Sequence, residues 1–221
     1  MNPSAQISDI STSVEEALHF WKHGVACSTD ERFSDEINHR LQEAKDNAQG
    51  AVSSVGVAER ENIKRLLNVA IAAPSKSKQV QWLHRAADVA TEAYGPASAC
   101  RPGCSHCCHI PVKISFAEAR SIGKAIGRAP IPKDQHRSIE ISGYALPCPF
   151  LDGGKCSIYK ERPAVCRTHL NMDVDDLLCR LVPGQDIPVP YYDARAFVMA
   201  SVMIEQDITQ WADVRQWFGR A

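Results

Sequence analysis

No stretch of about 18 uncharged apolar residues occurs in this chain, so no membrane-spanning helix is expected. Met1 to Trp21 lacks a basic segment followed by an unbroken apolar run, and no secretory signal is expected either. Charge of one sign is also scarce. A formal net charge of −1 leaves no electrostatic footprint for nucleic acid or for an anionic membrane. There is no Gly-rich phosphate loop, no HExxH pair and no Ser-His-Asp arrangement, so no motif names a reaction. Internal repeats and low-complexity tracts are missing too. What these absences leave is a cytoplasmic chain of 221 residues, 44% hydrophobic, able to bury one good core with or without a small appendage.

What is abundant is cysteine. Of nine cysteines, eight fall between Cys100 and Cys179, and four of those lie within Cys100-Arg-Pro-Gly-Cys104-Ser-His-Cys107-Cys108. Thiolate sulfur is the donor that selects zinc, copper(I) and iron-sulfur clusters. In a reducing compartment so dense a set points to metal or catalysis ahead of a disulfide framework. Cys104 and Cys107 have the two-residue spacing at which a tight turn brings two sulfurs to one ion. Cys100 can join them through the Arg101-Pro102-Gly103 turn. Cys108 is adjacent to Cys107 and, as neighbouring side chains diverge, suits a second ion or a cluster edge. Cys148, Cys156, Cys166 and Cys179 are more widely spaced, but Pro147, Pro149, Asp152-Gly-Gly154 and Pro163 supply chain reversals between them. One compact site fed by both halves is expected, tying down a stretch too long and loop-rich to order itself.

The remainder reads as mainly α. Ser13 to Glu16 has the form of a capping box. Ser34 precedes Asp35 and Glu36, acids suited to a helix N-terminus, with Ile37, Leu41 and Ala44 on one face. A third segment runs from Val57 to Pro74, and a fourth from Lys78 to Tyr94 stops at Gly95-Pro96. Ser115 to Glu118 opens a further helix as a second capping box, ending at Gly127. An apolar segment begins at Asp193, and Trp211, Val214, Trp217 and Phe218 form a last short helix. The expected organisation is a helical region over 1–95, a cysteine-cluster metal-binding domain over 96–182, and C-terminal helices over 183–221 packing on the core.

Several residues have two readings. His106, His109 and His169 are metal-ligand types, but read more simply as partly exposed loop histidines, since the cysteines suffice for four-coordination. Cys27 reads as a small buried hydrophobe outside the site. Arg162 and Arg167 could grip an anion, though hydrogen bonds to loop carbonyls and compensation of thiolate charge, together with Arg101 and Arg180, explain them more simply. Tyr159 reads as a packed aromatic, and Asp173, Asp175 and Asp176 as acids at the start of a short helix.

The first cysteine group, taken with Cys148-Pro-Phe-Leu, Cys156-Ser-Ile-Tyr159 and Glu161-Arg-Pro-Ala-Val-Cys166-Arg167, resembles the YkgJ-type cysteine cluster family. That family is described as carrying a zinc- or iron-chelating domain named for a CxxCxxCC signature. The resemblance covers about residues 96–180. It departs from the name pattern in having three residues between the first pair, and in placing His169 soon after Cys166. It implies a metal-binding protein using Cys100, Cys104, Cys107, Cys108, Cys148, Cys156, Cys166 and Cys179. A related motif in bacterial flagellin lysine methylases suggests an enzyme by analogy, a methyl or redox transferase. A metal-folded interaction module is the third alternative. Ferredoxin spacing is absent, and the match of Cys100, Cys104 and Cys107 to the radical S-adenosylmethionine loop lacks the barrel that carries it. Zinc, iron and an iron-sulfur cluster all stay open on donor type alone. No nucleic acid or membrane is expected as partner.

Overall fold

A computed structural model describes residues 33–137, 146–181 and 187–219. The protein is mainly α. The expected helix at Ser13 and the cysteine at position 27 lie outside the described residues. Among those described, no helix is long and apolar enough to cross a membrane.

Helix α1 (Asp35–Ser54) opens where the Ser34 hydroxyl accepts the Ile37 N–H, with Asp35 and Glu36 in its first turn. Helix α2 (Val57–Ala72) and helix α3 (Lys76–Tyr94) form a hairpin, with the Ser75 hydroxyl accepting the Lys78 N–H at the start of α3. Their facing sides interdigitate Ile63, Leu66, Leu67 and Ala70 with Val80, Leu83, Ala86, Ala87 and Ala90. The alanines let the two backbones approach closely. Helix α3 ends at Tyr94 as expected, with Gly95 as its C-cap, though Gly95 keeps a right-handed backbone at φ −55° and the chain runs on into a short 3-10 turn over Gly95–Ala97. Pro96 at the start of that turn has no N–H to lose, so it extends the coil instead of breaking it.

Beyond the first cysteines, strand β1 (Lys113–Ser115) leads into helix α4 (Phe116–Ile126). Gly127 closes α4 in the left-handed region at φ 69°. The last segment repeats the pattern: strand β4 (Trp211–Asp213) leads into helix α8 (Val214–Phe218), and β1 pairs antiparallel with β4, Ile114 opposite Ala212. Trp211, expected in the final helix, therefore lies in the strand, and Asp213 caps the helix by a capping box with Gln216. The N-cap stops the helix from reaching further back. Around this pairing Val112, Ile114, Ile122, Phe150, Val214, Trp217 and Phe218 make a second core, against which Cys148, Cys156 and Cys166 pack.

Two other helices complete the frame. Helix α7 (Arg195–Glu205) lays Phe197, Ala200 and Ile204 into the hairpin core. Its terminal Glu205, 3% exposed, accepts Lys76 Nζ at 2.8 Å on one oxygen and the Ala117 N–H at 2.7 Å on the other. Helix α6 (Leu177–Leu181) brings Leu178 and Cys179 against Leu41 and Ala44 of α1, with Ile187 and Val189. Arg40 of α1 fastens that junction by reaching Asp173 at 2.7 Å and Asp175 at 3.0 Å.

Candidate metal centre

The loop from Cys100 to Cys108 folds by local rules. A turn closes with the Cys104 N–H on Arg101 O at 3.0 Å, and Gly103 sits at φ 92°, where a side chain would be strained. His106–Cys108 form a 3-10 turn. The second half is stitched to the first where the Cys148 N–H bonds to Cys108 O at 2.7 Å. Strands β2 (Leu151–Asp152) and β3 (Lys155–Cys156) then make a hairpin whose two-residue loop is Gly153-Gly154, at φ 52° and 77°. Two left-handed residues in succession are what so tight a hairpin demands, and glycine supplies them. The register sets Cys156 opposite Leu151.

Cys166 lies on helix α5 (Ala164–Thr168), and helix α3 holds that helix by a row of polar side chains one turn apart. His84 Nε2 lies 2.9 Å from Glu118 Oε1, and the same oxygen accepts the Ala164 N–H at 2.8 Å. Asp88 pairs with the Arg167 guanidinium, which also binds Arg162 O and Lys160 O. The Thr91 hydroxyl donates to Arg167 O at 2.7 Å. The expected capping box at Ser115 is thus half formed: the Ser115 hydroxyl takes the Glu118 N–H, but the Glu118 carboxylate is drawn away to His84 and Ala164. Burial at 3% exposure favours whichever partners satisfy it most fully, and two long-range ones do.

The sulfurs form one connected group. Beside the second core, Cys108, Cys148, Cys156 and Cys166 lie within electrostatic reach of one another, and Cys107 reaches Cys108, Cys166 and Cys100. Cys107 donates its proton toward Cys108, which holds Cys108 at about 7, below the ordinary thiol value, with help from the Arg162 and Arg215 charges. Cys107 is raised correspondingly, first by that bond and then by burial. Burial raises Cys148 to about 11 and lifts Cys166 well above the ordinary range. Cys100, Cys104 and Cys179 continue the group toward the Asp176 carboxylate, which lies near Cys104 and Cys179, and Cys104 also reaches Cys108. Burial pushes Cys179 up to about 12.

Backbone N–H groups point at several of these sulfurs. Cys104 accepts from His106, Cys148 from Phe150 and Cys156 from Ile158, each two residues on in the chain. Cys100 accepts the Asn171 N–H at 3.4 Å, and the Asn171 side-chain amide donates to Cys179 Sγ, also at 3.4 Å. Asn171 is 2% exposed and bridges two sulfurs far apart in sequence. Such bonds favour thiolate over thiol and offset the charge that sulfur ligands bring to a metal. Among the described residues no group of three or more His, Cys, Asp or Glu side chains is closed around a point that would hold an ion. The fit to zinc or iron is one of donor type: clustered thiols, N–H groups on sulfur and two arginines beside them.

Of the expected arginines, Arg162 faces the sulfurs and stacks 3.7 Å over the Tyr159 ring. Arg167 serves the loop carbonyls, Arg101 binds Ser98 O and Cys100 O, and Arg180 pairs with Asp176. Arg215 was missed by sequence reasoning. Its guanidinium holds both Asp213 oxygens at 3.1 Å, Leu146 O and Ile110 O, and its charge reaches Cys108 and Cys148. No local signal marks it, nor Asn171. His106 lies 3.4 Å from Asp176, and His169 stacks on Tyr191 with ring centroids 3.9 Å apart.

Residues 99–186 match the CxxCxxCC family. The description of that family's model is "Putative zinc- or iron-chelating domain". The CxxCxxCC segment takes in all eight cysteines from Cys100 to Cys179, Asn171 and Asp176, and leaves Arg215 and the helical hairpin outside. No curated protein and no solved structure matches the chain.

Proposed function

We propose that the chain is a metal-binding protein that chelates zinc or iron, the iron alone or in an iron-sulfur cluster, through Cys100, Cys104, Cys107, Cys108, Cys148, Cys156, Cys166 and Cys179. The observation that carries this reading is the gathering of cysteines from five chain segments, with backbone N–H groups already aimed at four of the sulfurs. Without a metal this arrangement is costly. Buried thiols raised above their ordinary range hold their protons, and those protons must leave when an ion binds. Arg162 and Arg215 then face the negative charge that thiolates carry to the site. A bound ion would cross-link loops that are otherwise joined by short strands and turns. The cytoplasm, where thiols stay reduced, is the compartment that suits such a site.

The test is elemental analysis of protein purified without oxygen, with an absorption spectrum from 300 to 700 nm. Stoichiometric zinc without colour, or iron with sulfur-to-iron charge-transfer bands, supports chelation and selects the metal. Protein that is folded, reduced and free of both metals, and that takes up neither on addition, refutes it.

A further inference from the structure

Helix α1 lies outside residues 99–186, yet it covers one of the sulfurs they carry. Leu41 and Ala44 are its buried side chains, and both sit in a small core with Leu178, Cys179, Ile187 and Val189. A polar clasp stands beside this core. Arg40 reaches one oxygen of the enclosed Asp173 carboxylate at 2.7 Å, and the Asn47 amide donates to the other at 3.4 Å. The Asn171 side chain joins the clasp to the sulfur: its oxygen accepts the Asp173 N–H at 3.1 Å, and its amide donates to Cys179 Sγ at 3.4 Å. At its other end α1 meets the hairpin core through Ala48, Ala51 and Val55. Gly50 is exposed there, and an added methyl would meet nothing within 4 Å, so this glycine weakens the helix without serving a contact.

We propose that α1 is a strap over the Cys179 segment, and that access of thiophilic ions and thiol reagents to Cys179 is set by how often the strap lifts. Two buried side chains on a helix of 20 residues make a thin attachment, and a helix freed from its packing is marginal in water. Opening so lightly packed an element costs less than opening the hairpin, so the strap lifts while the hairpin core stays closed. The clasp decides the frequency. Without Arg40 the enclosed Asp173 carboxylate loses its counter-charge in the closed form, and the open form, where water reaches that carboxylate, gains. The strap stands without the chelating reading; joined to it, the strap makes exchange at Cys179 wait on α1.

The test uses the full chain, reduced and at equal metal content in every variant, labelled with iodoacetamide and read cysteine by cysteine by mass spectrometry. Arg40→Gln is expected to speed labelling of Cys179 about tenfold or more. Cys166, which packs on the second core, keeps its rate. Arg40→Lys retains the charge and restores most of the protection. Gly50→Ala touches no part of the clasp, strengthens the helix and slows labelling of Cys179, an effect that damage to the 171–179 loop would not produce. The same Cys179 rate in wild type, Arg40→Gln and Gly50→Ala overturns the strap, and so does an Arg40→Gln protein in which Cys166 quickens as much as Cys179. If Arg40→Gln does not fold, Gly50→Ala decides alone. The strap and the chelating reading fail separately: labelling decides the first and metal content the second.

Discussion

The helical hairpin and the cysteine loops are ordered by different means. In the hairpin, complementary apolar faces do the work: Ala70, Leu83, Ala86, Ala87 and Ala90 are fully excluded from solvent, and the connection between helices is three residues long. The cysteine-bearing loops, Cys100–Cys108 and Cys148–Cys179, contain strands of two residues, helices of five, and glycine turns. Their order comes from hydrogen bonds and charged groups directed at single points. Regular packing degrades gradually when one contact is lost; point-by-point fastening gives way locally and completely.

Metal removal should separate the two most clearly. Stripping the ion is expected to raise amide hydrogen exchange between residues 100 and 180 by orders of magnitude, while amides of α2 and α3 stay protected. Zinc in small structural sites contributes on the order of 10 kcal/mol, and nothing else in the loops approaches that. Equal deprotection of both regions would erase the distinction. A smaller effect attacks the hairpin instead: Leu83→Ala should cost about 2–5 kcal/mol by denaturant unfolding, because the side chain is enclosed and the alanines around it cannot collapse inward. Metal stoichiometry should not change.

The smallest effect is one of pH. Burial holds His169 neutral down to about 4, below its ordinary 6.5. A histidine depressed in the folded state contributes stability above its unfolded value, and that contribution is lost as pH falls from about 6.5 to about 4, because the unfolded chain takes up the proton first. The loss should not exceed about 3 kcal/mol. It is measured as the difference in acid-induced melting between wild type and His169→Phe at equal metal content, the phenylalanine keeping a ring against Tyr191. A parallel fall in both proteins would remove His169 as the cause.

Helices were legible where their signals are local. Ser34 and Gly127 act within one turn of their own helices, and apolar spacing marked the hairpin faces. Glu118 was misread because its local signature is overruled: its carboxylate answers to His84 and Ala164, residues that only the tertiary fold brings near. The cysteines were visible by count, and the hydrogen bond from Cys107 to its neighbour Cys108 was not. Arg215 and Asn171 reach their sulfurs across long sequence separations, and sequence periodicity carries no trace of such contacts.

The row of His84, Asp88 and Thr91 on helix α3 gives the hairpin a task beyond its own stability. Asp88 and Thr91 meet the short helix bearing Cys166 directly and His84 does so through Glu118, so the rigid half of the molecule acts as a jig on which one sulfur is aimed. A five-residue helix has no persistence of its own. Its orientation is borrowed, and a shift of α3 along its axis would carry Cys166 with it. A helix that carries no cysteine thus fixes the place of one.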